Sequence, residues 1–320
     1  MLPVRDGVGA SQVSLPAGPW ARVLDFLVER FPAVPAHEWQ DRMNSGDVLD
    51  VAGQIVTPTQ AYIPHGKLYY YRTVPNEPVN QAQATVLYED ELLVVADKPH
   101  FLPVTPSGQY LQETLLVRLR RQLNEPELTP IHRIDRETAG IVLFARAPSL
   151  CSRYQAIFAR REVDKRYEAI ARFDASIRFP LTRSSTLETS DHFMQMREAE
   201  VASGGVANST TEIELLETRG AWARYLLRPA SGKRHQLRVH MAALGLPILG
   251  DRIYPQLLAP GGDEMGNPLR LLAQAIAFKD PWTGAQRRFR SAQELQFPPD
   301  PPATRPAATA SPQAGQSGHQ

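Results

Sequence analysis

His132-Arg133-Ile134-Asp135-Arg136-Glu137-Thr138-Ala139-Gly140 runs directly into Ile141-Val142-Leu143-Phe144-Ala145-Arg146. The second half is apolar and partly β-branched, closed by a small residue and a charge, which predicts a core strand. The first half is polar and ends in a glycine able to take a turn conformation. Asp135 is thereby set between Arg133 and Arg136 at the mouth of that strand. A carboxylate there can be held ionised by either neighbour or by a distant arginine, and still lie near solvent, where a large substrate can reach it. The bland reading of the same residues is a turn cap at Asp135 and a solvated Arg136–Glu137 pair of little energetic weight. Spacing alone favours the bland reading.

Length and composition set the outer bounds. A chain of 320 residues can bury a sizeable core as one large and one small domain. Its 42 % hydrophobic and 22 % charged content is that of an ordinary soluble globular protein. No apolar run approaches a membrane span, and the N-terminus lacks the charged-then-apolar pattern of a signal peptide. Cys151 is the single cysteine, which excludes an intrachain disulfide and a four-thiolate zinc site and fits a reducing, cytoplasmic compartment. The net charge of +1 hides an asymmetry. Residues 1–117 hold 7 Lys/Arg against 13 Asp/Glu, residues 118–172 hold 12 against 7, and residues 219–252 hold 7 against 1. A local basic face of this kind suits a polyphosphate partner, unless those arginines pair with the acidic first third.

Upstream of the opening stretch, residues 1–16 show little periodicity and are expected to be disordered. Residues 17–76 read as a small α+β module. In it, Trp20, Val23, Leu24, Leu27, Val28 and Phe31 share one helix face, a second short helix covers Ala36 to Met43, and short strands follow at Val48–Val51, Ile55–Val56 and Leu68–Tyr71. Residues 77–83 are a polar, proline-containing linker. Thr85–Tyr88 and Leu92–Ala96 flank an acidic turn as a hairpin. An arginine-bearing helix spans Thr114 to Leu123.

Downstream, Ser149 is placed to cap a helix reaching Arg161. Lys165–Ala171 alternates as a strand, with Tyr167, Ala169 and Ala171 on one face. Residues 173–208 carry little pattern and read as an extended arm. A hairpin follows, Thr211–Glu217 with Trp222–Leu227. Pro229-Ala230-Ser231-Gly232-Lys233-Arg234-His235-Gln236-Leu237-Arg238-Val239-His240 leads into a helix that stops at Gly245. His235 and His240 are five apart, so they do not share a helix face as a metal pair would. Gly232-Lys233 lacks the upstream glycine of a phosphate-binding loop. Leu269–Phe278 reads as the last strand. Residues 298–320 are Pro, Ala, Ser and Gln with almost no charge, and are expected to be a disordered tail.

Several of these segments, in this order, resemble the RluA-type pseudouridine synthases. The opening stretch is similar to H-R-L-D-x-x-T-S-G, with Ile134 for Leu and Ala139 for Ser. Asp97-Lys98-Pro99 with Val104 resembles the start of that catalytic domain, Lys165-x-Tyr167-x-Ala169 its K-x-Y-x-A, and Pro229–His240 its P-x-T-G-R-x-H-Q-I-R-x-H, with Ser231 for Thr and Lys233 for Arg. Pro247-Ile248-Leu249-Gly250-Asp251 with Tyr254 continues the likeness. Where the family often has L-H-A, this chain has Leu271-Leu272-Ala273. The likeness covers residues 84–297. Residues 17–76 resemble an S4-type RNA-binding module, although its second helix offers only Arg42 beside Glu38 and Asp41.

The resemblance implies an α+β pseudouridine synthase fold with a mixed, mostly antiparallel sheet, flanking helices and a basic cleft. It implies isomerisation of uridine in ribosomal or transfer RNA to pseudouridine by a monomer, without metal or organic cofactor. Asp135 becomes the catalytic carboxylate, Arg238 its ion-pair partner, and Tyr167 the aromatic that stacks on uracil and helps remove the C5 proton. His132, Arg133, Arg136, Lys165, Arg234, His235 and Gln236 become RNA-binding residues. The alternative of another class is a non-catalytic RNA-binding or ribosome-assembly protein that retains this fold. A carboxylate-pair glycosidase has only Glu137 to offer as second acid.

Overall fold

The apolar run that begins at Ala139 becomes the strand around which the larger part of the molecule is layered. The computed structural model describes residues 3–199, 206–259 and 266–298. The first part contains β1 (Ser11–Ser14), α1 (Val23–Arg30), α2 (Ala36–Asn44), β2 (Val48–Leu49) and β3 (Lys67–Tyr70). Then come β4 (Thr85–Glu89), β5 (Leu93–Lys98), α3 (Leu115–Leu123), β6 (Thr129–Pro130), β7 (Ala139–Ala145), α4 (Pro148–Ala159) and β8 (Asp164–Arg172). The chain continues through β9 (Leu181–Ser185), β10 (Leu187–Thr189), β11 (Met196–Glu198), β12 (Ser209–Arg219) and β13 (Trp222–Pro229). It closes with α5 (Gln236–Ala243), β14 (Leu271–Lys279) and β15 (Gln286–Arg290).

Ten strands form one sheet in the order β4-β5-β7-β14-β8-β13-β12-β9, with β15 paired to β14 and β6 to β7. Every pairing in it is antiparallel except β14 with β7. β7 is buried along its whole length. Ile141, Leu143 and Ala145 pack toward α4 through Cys151, Tyr154 and Ile157. Val142 and Phe144 face α3 through Leu115, Leu116 and Leu119. An alternating strand sandwiched between helices has no polar face to offer, which is why its sequence is apolar throughout. On β8, Tyr167, Ala169 and Ala171 pack with Leu237 and Met241 of α5, while Ile170 faces the other way. This α+β, mixed and mostly antiparallel architecture is the one the resemblance implies.

The structure corrects several local expectations. α4 starts at Pro148 with Ala147 as its cap, so Ser149 lies inside the helix. Within the stretch read as an extended arm, residues 181–198 supply β9 to the sheet edge and a separate two-stranded hairpin of β10 and β11. A further strand, β15, follows the one read as last. Of the expected tail, residues 298–320, all but Pro298 lie outside the described residues.

The disorder expected for residues 1–16 is overturned for most of that stretch. β1 pairs with β3, Val13 opposite Leu68. Val13 and Leu15 belong to the same small core as Phe26, Leu27, Trp39 and Met43. Val8 packs instead on Leu111 and Val117 of the larger part, and the Gly7 and Asp6 carbonyls accept from Arg120 and Arg121 at 3.1 and 3.0 Å. The first segment thus fastens the two parts together. Residues 77–83 are likewise tied down: Glu77, the first of them, accepts the backbone N–H of Gln112 at 2.9 Å, and Asn80 donates to the His100 carbonyl at 3.1 Å. In α2, the arginine that an S4-type helix would present to RNA is buried: Arg42 pairs with Glu38 and lies over Trp39.

Candidate active site

Gly140 decides where the opening stretch can sit. Its φ is +110°, and a Cβ there would fall 2.3 Å from the Ala273 carbonyl oxygen. Only glycine tolerates both that dihedral and that approach. The close contact lets β7 run parallel to β14, with Ala273 opposite Gly140. The loop of residues 132–138 is thereby delivered to the end of the central strands. Thr138 donates its N–H to the Asp135 carbonyl at 3.1 Å and closes a turn. Asp135 lines an open cleft together with Arg133, Thr138, Lys165, Tyr167 and Arg238, among others.

Arg238 comes from α5, a hundred and three positions later, and meets Asp135 with Nη1 at 3.4 Å from Oδ2. Its side chain is 1 % exposed and that of Asp135 is 27 % exposed. The guanidinium is not committed to Asp135 alone. Nε and Nη2 fork onto Asp251 at 2.8 and 2.7 Å, and Nη1 also lies 3.8 Å from Glu137. Burial alone would lower the arginine's affinity for its proton, but Asp251, Asp135 and Glu137 together raise it above its ordinary value. Asp251 is itself held by the N–H groups of Ile253 and Tyr254 at 2.8 and 3.0 Å. The loop that carries it turns at Gly250, whose φ is +79° and where a Cβ would strike the Pro268 carbonyl oxygen at 2.3 Å.

Tyr167 stands on β8 in the same cleft. Burial and the neighbouring charge of Asp135 push its phenol well above the usual range, so the ring holds its proton at neutral pH. Lys165, two residues earlier, donates to the Ser231 carbonyl at 2.7 Å, and burial with nearby Arg161 brings it down to about 8. His235 adopts a left-handed conformation, φ +53°, at the head of α5. Its Nδ1 is 3.0 Å from the Tyr254 hydroxyl and its Nε2 is 3.9 Å from Asp135. Burial lowers its basicity, with Asp135 acting in the opposite sense. Arg133 is exposed at the rim of the cleft. Arg136 bonds Glu137 at 3.2 Å and the Tyr110 hydroxyl at 3.1 Å, and its guanidinium lies 5.7 Å over Phe101.

Three of the residues assigned to RNA are engaged elsewhere. His132 accepts the Leu143 N–H at Nε2, 3.1 Å, and stacks on Phe158 with centroids 5.0 Å apart. An acceptor nitrogen makes it neutral, and burial, with the charge of Lys165, takes it down to about 3. It is a packing histidine that ties the loop to β7. Gln236 is buried, with Nε2 donating to the Thr210 carbonyl at 2.9 Å and Oε1 accepting from Ser231 Oγ at 2.7 Å. It shapes the turn before α5 from the inside. Arg234 points outward and donates to the carbonyls of Phe193 and Met194 at 2.9 and 3.2 Å.

Sequence reading missed two residues of this assembly. Asp251 is the main anion of Arg238, and its signal was the Gly250-Asp251 pair already inside a matched segment. Lys98, fully buried, lies beneath the Asp135 loop and donates Nζ to the carbonyls of Pro99 and Arg136, both at 3.0 Å. Burial pushes it down to about 7 although Glu137 and Asp135 pull the other way. Its signal was Asp97-Lys98-Pro99. Among the described residues no group of His, Cys, Asp or Glu is arranged to hold a metal ion, and no helix is long and apolar enough to cross a membrane.

Residues 92–243, which contain Asp135, Tyr167 and Arg238, match the family model for RNA pseudouridylate synthases. An uncharacterised RNA pseudouridine synthase of Synechocystis is 31 % identical over 249 residues, covering 75 % of this chain and 80 % of that protein. The chain belongs to the RluA-type RNA pseudouridine synthases. The dual-specificity RNA pseudouridine synthase RluA of Escherichia coli K12 is 30 % identical over 215 residues, covering 67 % of this chain and 95 % of that protein. The structure of human RNA pseudouridylate synthase domain containing 1 aligns over 68 % of this chain and 86 % of its own, with TM-score 0.52 and 23 % identity, and shares the fold. As a pseudouridine synthase the chain is an isomerase that converts uridine in RNA to pseudouridine.

Proposed function

We propose that Asp135 is the catalytic carboxylate of this isomerase and that its substrates are uridines in structured ribosomal or transfer RNA. The observation that carries the reading is a partly exposed aspartate at 3.4 Å from a buried arginine, on the floor of an open basic cleft. The reaction breaks the bond from N1 to the ribose carbon, turns the base, and joins C5 to that carbon. C5 loses a proton and N1 gains one. No electron leaves or enters, so no redox partner is required.

A uridine must leave its stack to reach Asp135, which costs a few kcal/mol and least in loops. Arg133 at the rim fills the vacated place or holds a phosphate. Asp135, charged opposite Arg238, acts as nucleophile or stabilises positive charge on the sugar. Tyr167 serves as a face for the uracil and, late in the reaction, helps carry the C5 proton away. Lys165 and His235 border the same space. The enzyme works as a monomer, and the lone, buried Cys151 suits a reducing cytoplasm.

Unmodified ribosomal and transfer RNA transcripts carrying 5-tritiated uridine test this. The wild type should release tritium, and Asp135→Asn should release none while binding the RNA as well as before. Tritium release by the mutant at the wild-type rate would remove Asp135 from the chemistry.

A further inference from the structure

The β10–β11 hairpin stands beside the cleft and ends in a large apolar ring turned to solvent. Phe193 at its tip is 72 % exposed. His192 stacks on it, with centroids 5.5 Å apart and ring planes 18° from parallel. Such a ring adds nothing to the core, and a two-stranded ribbon is marginal by itself. The tip is nevertheless braced by four hydrogen bonds. Arg234 holds the carbonyls of Phe193 and Met194, Gln195 donates to the Ile253 carbonyl at 2.8 Å, and Met196 donates its N–H to the Tyr254 hydroxyl at 2.7 Å. That hydroxyl meets His235 Nδ1, and His235 Nε2 faces Asp135 at 3.9 Å. Arg234 belongs to the segment of residues 229–238 that lines the cleft, Ile253 and Tyr254 to the loop of Asp251 that packs behind Arg238, and Lys233 and Arg234 are exposed.

We propose that the His192–Phe193 pair is a stacking platform for an unpaired base of the RNA substrate flanking the target uridine. Aromatic faces hold bases of any identity, and cations beside them hold the intervening phosphates. An exposed ring fixed by side chains of the cleft wall, with two cations alongside, has that composition. A hairpin anchored to Tyr254 and His235 also keeps the platform at a constant offset from Asp135. The proposal rests on the reading that this cleft takes RNA, and its test separates the two.

The probe is a fluorescein-labelled RNA stem-loop with a uridine-containing loop, and a second copy with 2-aminopurine in that loop. Phe193→Ala should weaken binding about tenfold, within the range for losing one base–aromatic stack, and should leave the dependence on salt unchanged, since no charge is removed. Phe193→Trp should restore affinity. The wild type should quench 2-aminopurine, and Phe193→Ala should not. Because the ring is exposed, the variant should unfold at the wild-type temperature. Equal affinity and equal quenching in wild type and Phe193→Ala would overturn the platform while leaving Asp135 untouched. So would a wild-type dimer that Phe193→Ala makes monomeric without altering RNA binding, which would assign the ring to a second copy of the chain. Failure of the wild type to bind the stem-loop at all would overturn both readings.

Discussion

Arg238 gives Nε and one terminal nitrogen to Asp251 and leaves the other terminal nitrogen for Asp135. The planar fork makes this division possible, because its two edges point at different partners in fixed directions. Asp251 therefore does the aiming, and Asp135 receives a guanidinium already held in place. Asp251→Asn keeps an oxygen for the N–H groups of Ile253 and Tyr254 but removes the charge matched to the buried guanidinium. Stability should fall by about 3 kcal/mol, as when one member of a buried pair is lost. Turnover should fall roughly a hundredfold as Arg238 swings toward the remaining carboxylates and draws Asp135 out of position. Urea denaturation and tritium release per folded molecule measure the two effects. A variant matching wild type in both would reduce Asp251 to a bystander. The same scale explains what the sequence could not give. His132 and Gln236 look like polar ligands in one dimension, and only the packing of Phe158, Leu143 and Thr210 around them shows that their polar atoms are already engaged.

At the scale of elements, legibility followed apolar content. β7, β8 and the β12–β13 hairpin alternate or run apolar and could be read directly. β15 is Gln-Arg-Arg-Phe-Arg, with one apolar residue, and exists because its backbone pairs with β14 while Arg287 reaches Asp90 and Asp280 at 2.7 and 3.1 Å. β1 is a strand only because β3 lies beside it. Such elements are made by tertiary pairing, which no local window contains. Gly140 is the reverse case: its place in the opening stretch was visible, but its use was not a turn. It is the point where a parallel pair of strands comes too close for any side chain. Gly140→Ala should cost about 3 kcal/mol or more, from a positive φ imposed on alanine and a Cβ driven against the backbone of Ala273. The denaturation midpoint should drop accordingly, and β7 can relieve the clash only by shifting the loop that carries Asp135. A midpoint within experimental error of wild type would mean that β7 and β14 separate freely.

Across the whole molecule, two neutral histidines hold distant parts of the large sheet. His132 pins the Asp135 loop to β7. His240, fully buried on α5, meets Ser185 of β9 and Ser209 of β12 through Nε2 at 3.0 and 3.1 Å, and Thr211 through Nδ1 at 2.9 Å. Burial takes them to about 3 and about 4. In the unfolded chain each returns to about 6.5. The unfolded state therefore takes up protons first as pH falls. The stability these residues contribute is complete above about pH 6.5, declines below it, and stops declining only under the folded values. The slope is about 1.4 kcal/mol per pH unit for each histidine, or roughly 2 kcal/mol each by pH 5. The carboxylates Asp90 and Asp280 that bind Arg287 sit below their ordinary range, so their loss belongs to more acid conditions. Denaturation midpoints measured from pH 7.5 to pH 5 should fall steadily for the wild type. His132→Gln and His240→Gln should each be less stable than wild type at pH 7.5 and show a shallower fall, by about 1.4 kcal/mol per unit. An undiminished slope in both variants would mean that these two rings are already protonated in the native fold, which is incompatible with the N–H of Leu143 donating to His132.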